Sequence, residues 1–359
     1  MDITEIDKNF KLEIPNEPDL VWYNAKNELF SLHGIYYDEE EKSYRLMPER
    51  EAEKISFGVN YQARYTSGGR LRFITDSPYV AIKCVEPTFE PPHISSPSIC
   101  THGFDLYREK ESLGYYCADY QTFKNIPNYE SEIAFSGIIR INKSEKAEYT
   151  LHFPRTIGVN ELYIGLKEGS ILEAASKYRN GRVIYYGSSI TQCSCSSGAG
   201  KGYQEFLSRW LECDYVNYGF SGNCLGELEM ARFLGKQDAS VYVIDYDHNA
   251  PNAEYLEKTH YPFYKELRKY KPNTSVLFMT MPNFDTFPEA ERRAEIIKTT
   301  YKEAKKAGDK NVWFINGRVF LGKRDRSSCT LEGLHPNVLG YYRMARALYP
   351  VLKKILKKK

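Results

Sequence analysis

The chain has 359 residues, past the length at which one hydrophobic core usually stops growing, so two domains are expected. A hydrophobic content of 42% and a charged content of 27% fit an ordinary globular protein, and no apolar run is long enough to span a bilayer. A net charge of +2 gives no electrostatic case for a nucleic-acid partner.

The N-terminal stretch Met1-Asp2-Ile3-Thr4-Glu5-Ile6-Asp7-Lys8 lacks a basic segment followed by an apolar one, so a cytoplasmic protein is expected. The eight cysteines are scattered, without a C-x-x-C pair or metal-ligand spacing, which predicts free thiols. From about residue 56 to 166 the pattern is one of short alternating or apolar runs. Examples are 71–75, 80–85, 138–141, 149–153 and 161–166, with turn signals such as Ser67-Gly68-Gly69 and Asp76-Ser77-Pro78 between them. This predicts an all-β sandwich of jelly-roll type. The 30 tyrosines suit such a fold, because aromatic rings pack well on pleated surfaces.

Beyond residue 183 the pattern alternates. Strands are expected at 183–186, 214–218, 241–245, 275–280 and 311–315. Helices are expected at 204–212, 227–234, 253–271, 288–307 and 338–357. Strands alternating with helices imply βαβ units and an α/β domain whose parallel sheet is covered on both faces. The boundary is expected near 168–182, giving an N-terminal β-sandwich domain over 1–175 and an α/β domain over 176–359. The lysines of 353–359 read as a solvated helix end.

Four segments of the second half carry candidate chemistry. They are Gly187-Ser188-Ser189-Ile190-Thr191, Asn217-Tyr218-Gly219-Phe220-Ser221-Gly222-Asn223, Asp245-Tyr246-Asp247-His248-Asn249 and Glu332-Gly333-Leu334-His335-Pro336-Asn337. Each follows a strand or opens a helix, so all four can meet at one sheet edge, where open α/β folds bind ligands. A serine in the strand-to-helix turn needs a base, and a late acid-x-x-His element can supply both the base and its orienting partner. Other readings stand beside these. Asn249 could cap the helix that follows it, and His248 could touch the pocket rim. Asp245 and Asp247 with His248 could suggest a metal, but alternation along an extended segment would set neighbouring side chains apart and no second ligand cluster is evident. Gly198-Ala199-Gly200-Lys201-Gly202 lacks the spacing of a phosphate loop. No motif calls for a cofactor.

Together these segments resemble the SGNH, or GDSL-type, hydrolase superfamily over roughly residues 182–352. In the first half, Gly103-Phe104-Asp105-Leu106-Tyr107 resembles the Gly-x-Asp-Leu-Tyr signature of an N-terminal β-sandwich domain found in a mostly bacterial subgroup of that superfamily, as does the segment 66–77. The resemblance implies a flavodoxin-like hydrolase domain with Ser189 as nucleophile and His335 as general base. It also implies an oxyanion hole made by the N–H groups of Ser189 and Gly222 and the side-chain amide of Asn249. Two positions depart from the family pattern. Ser188 stands where the family has Asp, and Glu332 stands where the triad Asp is expected; its fixed spacing to His335 suits it to orient the imidazole. The implied activity is that of a serine esterase acting on a small-molecule or carbohydrate ester, with acetyl as the expected acyl group. An acyltransferase and a non-catalytic carbohydrate-binding protein are the alternatives.

Overall fold

The computed structural model describes residues 16–87, 98–118 and 132–357. The reading of residues 1–8 lies outside the described residues, as do the last two lysines of the terminal cluster. The chain forms two compact units, and they are interleaved in sequence. One comprises Met1–Leu46, Arg64–Lys177 and Ser197–Gly200; the other comprises Met47–Ala63, Tyr178–Ser196 and Lys201–Lys359.

The first unit is built on strands β1 (Leu20–Asn24), β2 (Ser31–His33), β3 (Tyr36–Asp38), β4 (Ser43–Arg45), β5 (Arg70–Thr75), β6 (Tyr79–Pro87), β7 (Phe104–Arg108), β8 (Glu111–Tyr116), β9 (Glu132–Arg140), β10 (Ala147–His152), β11 (Glu161–Lys167) and β12 (Leu172–Ala174). They form two antiparallel sheets, ordered β1-β11-β6-β9 and β12-β5-β10-β7-β8, with β2 also on β5 and a β3-β4 hairpin beside them. The sheets face each other as a sandwich. Phe104 of β7 meets Phe135 of β9 with ring centroids 6.4 Å apart, and the Tyr116 hydroxyl of β8 donates to Val80 O of β6 at 2.7 Å.

In this unit Asp105 and Tyr107 of the Gly-x-Asp-Leu-Tyr segment grip residues 197–200. Gly200 N–H donates to Asp105 Oδ2 at 2.9 Å, and the Tyr107 hydroxyl donates to Gly200 O at 3.2 Å. Arg155, fully buried, donates to Ala199 O at 2.6 Å.

The second unit holds a parallel sheet of β13 (Asn180–Gly187), β14 (Cys213–Gly219), β15 (Val241–Asp245), β16 (Ser275–Met279) and β17 (Val312–Ile315). Its spatial order is β14-β13-β15-β16-β17, the doubly wound 2-1-3-4-5 arrangement. Its helices are α1 (Glu49–Ala52), α2 (Phe57–Gln62), α3 (Ser189–Gln192), α4 (Tyr203–Leu211), α5 (Leu228–Lys236), α6 (Ala253–Tyr270), α7 (Ala290–Lys306) and α8 (Val338–Leu356). Strand alternation along β13 sorts its side chains between two cores. Val183 and Tyr185 pack with Tyr203 and Leu207 of α4 and with Tyr341, Met344 and Leu348 of α8. Tyr186 faces the other way and stacks on Phe263 of α6, centroids 5.0 Å apart.

Helix α8 buries Tyr341, Met344, Ala345, Leu348, Leu352 and Ile355, a one-sided stripe at helical spacing. Asn337 caps it, accepting from Leu339 N–H at 3.0 Å. Among the described residues no helix is long and apolar enough to cross a membrane.

Candidate active site

The switch point of the sheet lies at β13, whose neighbours β14 and β15 run on either side of it. Gly187 ends β13 in register with Gly219 of β14 and Asp245 of β15, so the three following segments leave the sheet side by side. Two backbone bonds tie them at once. Ser188 N–H donates to Asp245 O at 3.1 Å, and Phe220 N–H donates to Gly187 O at 3.0 Å. Gly219 touches the backbone of Gln192, and a Cβ there would overlap it, so only glycine lets the helix carrying Ser189 come this close to β14.

Ser189 is the first residue of α3. The residue before it, Ser188, is fully buried in extended backbone, and its hydroxyl accepts from Ile190 N–H at 3.2 Å. Serine at this position therefore does the capping work that an aspartate would do, because both residue types accept a hydrogen bond from the first helical turn.

Ser189 Oγ lies 2.8 Å from His335 Nε2. On the other side of the ring, His335 Nδ1 is hydrogen-bonded to Glu332 Oε1, and the same oxygen accepts from His335 N–H at 3.2 Å. A carboxylate can only accept, so Nδ1 carries the hydrogen and the Nε2 lone pair faces Ser189. The loop bearing this pair is closed by a bridge between Thr330 and Pro336, by Leu331 N–H on His335 O at 3.0 Å, and by the Thr286 hydroxyl on Gly333 O at 2.9 Å.

Gly222 follows β14 with φ of +69°, a left-handed conformation that glycine adopts at no steric cost. Its N–H donates to Asn249 Oδ1 at 3.2 Å, while Asn249 Nδ2 donates to Phe220 O at 3.0 Å. Gly222 and Asn249 are thus brought together, but they are bonded to each other. An amide nitrogen carries two hydrogens, so the Phe220 bond takes only one of those on Asn249 Nδ2. Asn249 does not cap the next helix; Asn252 does, accepting from Tyr255 N–H at 2.8 Å.

The other polar residues beneath the site bind one another and the backbone. The Thr191 hydroxyl donates to Asp245 Oδ2 at 2.8 Å, and Thr191 O accepts from Asn217 Nδ2 at 2.9 Å and Gln204 Nε2 at 2.6 Å. Burial, and then the charge of Asp247, push Asp245 well above the usual carboxylate range. Asp247 is raised to about 6 by burial, against the bond it receives from Met281 N–H at 3.0 Å. His248 sits with Nε2 3.1 Å from Asn283 Oδ1 and its ring against Phe287. Burial lowers its pKa to about 4, so it is neutral near pH 7. No group of three His, Cys, Asp or Glu side chains able to hold a metal occurs among the described residues.

Sequence reasoning passed over Asn283 and Gln62. Asn217 did leave a signal, since a polar residue in the buried run of β14 must find a partner.

Comparison with known proteins agrees with this architecture. Residues 180–353 match the GDSL-like Lipase/Acylhydrolase family, and residues 20–172 match GxDLY, the N-terminus of Esterase_SGNH_hydro-type. No curated protein matches the chain. Among solved structures, a protein described as a GDSL-like lipase from Bacteroides ovatus ATCC 8483 is 24% identical, with a TM-score of 0.81 over 94% of this chain and 98% of its own. The salicylyl-acyltransferase SsfX3 from a tetracycline biosynthetic pathway is 17% identical, with a TM-score of 0.76 over 94% and 99%. A family two carbohydrate esterase from Clostridium thermocellum, in complex with cellohexaose, is 14% identical, with a TM-score of 0.64 over 91% and 99%. The fold is that of a hydrolase domain of carboxylic ester hydrolases joined to a β-sandwich. The chain belongs to the SGNH, or GDSL-type, hydrolase superfamily, in the group whose N-terminal part carries the GxDLY domain.

Proposed function

We propose that the protein is a serine esterase that removes a small acyl group, acetyl in the leading case, from a carbohydrate or similarly polar acceptor. The observation that carries this reading is the 2.8 Å contact between Ser189 Oγ and His335 Nε2, with Glu332 bonded to the far nitrogen of the same ring. Ser189 Oγ attacks the ester carbonyl and His335 Nε2 takes its proton. The imidazolium that forms is stabilised by Glu332. The tetrahedral oxyanion is met by Ser189 N–H and by the second N–H of Asn249 Nδ2. Gly222 N–H contributes less, because it is shared with Asn249 Oδ1. Collapse expels the alcohol, which takes the proton from His335. Water, deprotonated by the same histidine, then releases the carboxylic acid and frees Ser189.

The acceptor class is supported by two relatives of the same fold: the carbohydrate esterase bound to cellohexaose, and an acetyl xylan esterase from Butyrivibrio proteoclasticus at 14% identity and a TM-score of 0.57. A second reading, acyl transfer to an alcohol or amine, draws on the likeness to the salicylyl-acyltransferase. It uses the same acyl-enzyme and differs only in what resolves it.

The test is hydrolysis of p-nitrophenyl acetate and of acetylated oligosaccharides by wild type and Ser189→Ala. Triad members act as a unit, so folded Ser189→Ala should lose roughly a millionfold in kcat. Substantial turnover by that variant sinks the assignment. Product analysis with an added sugar or amine separates transfer from hydrolysis.

A further inference from the structure

We propose that Gln62, far upstream of the nucleophile, is a positioning residue that fixes the Gly222 N–H against the helix carrying Ser189. The proposal rests on the reading of Ser189 as nucleophile. Gln62 ends α2, which lies in the segment Met47–Ala63 that packs with the hydrolase unit. Its side chain is buried, at 9% exposure. Nε2 donates to Ser221 O at 2.7 Å, and Oε1 accepts from Gln192 Nε2 at 3.2 Å. Gln192 is the last residue of the short helix that Ser189 begins. One side chain therefore joins the nucleophile helix to the glycine loop.

The carbonyl it holds is the informative one. Ser221 C=O and Gly222 N–H belong to a single peptide unit, which is planar and trans. Fixing the oxygen fixes the direction of the N–H on the opposite side. On the N–H side the same peptide is held by Asn249 Oδ1 at 3.2 Å, so Gln62 and Asn249 grip it from opposite ends. Gly222 is exposed, and a Cβ built on it would meet nothing within 4 Å. The second bond to Ser221 O, from Asn223 Nδ2 at 2.7 Å, comes from within the loop itself. Helix α2 also presses on that asparagine, since Gly58 leaves no room for a Cβ beside the Asn223 side chain.

The hydrogen-bond chain has one sense only. Ser221 O can only accept, so the nitrogen end of Gln62 must face it, and the oxygen end must then receive a donor from Gln192. That polarity supplies the test. In Gln62→Glu an ionised carboxylate would turn lone pairs toward Ser221 O. The protonated acid would restore an O–H donor, and burial should raise its titration toward neutrality.

The experiment measures kcat and KM for p-nitrophenyl acetate with full-length wild type, Gln62→Leu and Gln62→Glu from about pH 6 to about pH 9, together with thermal melts. Gln62→Leu should lose about threefold to tenfold in kcat with KM changed less than about twofold, because a misaimed donor harms the transition state more than the ground state and Gly222 N–H is only the lesser of the donors. Its activity relative to wild type should be flat across pH. For Gln62→Glu the same ratio should climb as pH falls. Folded Gln62→Leu within about twofold of wild-type kcat, a loss confined to KM, or a Gln62→Glu ratio that ignores pH overturns the proposal. If Gln62→Leu does not fold, the Gln62→Glu ratio decides alone. Ser189→Ala, run in parallel, separates the two claims: active Ser189→Ala overturns both, whereas inactive Ser189→Ala with unaffected Gln62 variants overturns only this one.

Discussion

The two sides of the Ser189–His335 contact stand on different footings. On the serine side, Ile190, Thr191 and Gln192 are all buried, and Thr191 alone makes four hydrogen bonds, to Asp245, Asn217, Gln204 and the Tyr203 hydroxyl. On the histidine side, the His335 and Glu332 side chains are 15% and 42% exposed, on a loop held by one bridge and a few bonds. The position of Ser189 is thus a property of the domain core, and the aim of the His335 imidazole is a property of a few surface contacts. Core changes should register first in stability and only weakly in rate. Loop changes should do the reverse.

Glu332→Gln gives the largest effect and the sharpest contrast. An amide can donate to Nδ1 and so favour the tautomer that carries its hydrogen on Nε2, where it cannot accept the serine proton. The rate should fall roughly a thousandfold to ten thousandfold. Little packing is lost at a side chain this exposed, so the melting temperature should stay within a degree or two of wild type, about the effect of a surface substitution. Wild-type kcat in this variant would leave Ser189 and His335 working as a dyad. A large drop in melting temperature would show the loop to be more integral to the core than its exposure suggests.

The same contrast governs what the sequence made legible. Most strands and the longer helices of the second half could be read within a residue or two, because a fully buried parallel strand is a nearly unbroken apolar run and each covering helix shows a one-sided stripe; β13 starts three residues earlier than expected, and α3 is too short to show a stripe. The proximity of Ser189 and His335 was readable because both sit at strand-to-helix junctions of one sheet edge. The strands between Leu20 and Arg45 were not readable. Three of those four have only three residues, too few for any period to show. Nor could anything local announce Gln62, whose bond to Ser221 O spans a sequence separation of 159. Asn249 shows the limit in another form: its segment was read correctly as following a strand, but its bonds to Gly222 and Phe220 depend on a loop geometry that no spacing encodes.

Asn249→Ala tests the ground between core and surface. It removes the amide donor, frees Gly222 N–H and leaves Phe220 O with only the bond from Asn223 N–H. Loss of one oxyanion donor typically costs a hundredfold to a thousandfold, so kcat should fall by roughly that factor with KM little changed. Gly222 N–H, released from Oδ1, is then free to serve the oxyanion, which sets the expectation nearer the lower figure. A loss below about tenfold would mean that Ser189 N–H and Gly222 N–H carry the oxyanion between them.

Thr191→Val should have the smallest effect on rate and the largest dependence on pH. Valine keeps the shape and the backbone carbonyl that Asn217 and Gln204 hold, so Ser189 keeps its place and kcat should change by less than about threefold. What is lost is the hydroxyl that donates to Asp245 Oδ2, the interaction that opposes burial and the Asp247 charge in setting the titration of Asp245. A buried acceptor left unpaired costs about 1–3 kcal/mol. The sign with pH follows from the direction of the shift. Asp245 is raised in the folded protein, so it favours folding most below the ordinary carboxylate range, and that contribution fades as pH rises through the raised value. Without the threonine hydroxyl the folded protein holds the proton more tightly still. At low pH the carboxyl is neutral in both proteins and only neutral hydrogen bonds, to Asp245 and from the Tyr203 hydroxyl, separate them. At higher pH, ionising Asp245 in the variant means a carboxylate with no hydroxyl to meet it. The stability gap between wild type and Thr191→Val, followed by thermal or urea melts, should therefore widen as pH rises through the raised titration of Asp245 in the folded wild type. A gap that narrows with pH would mean that Asp245 is ionised and satisfied by other groups. A loss of rate without loss of stability would break the comparison itself, because it would make the serine side as dependent on single contacts as the histidine side.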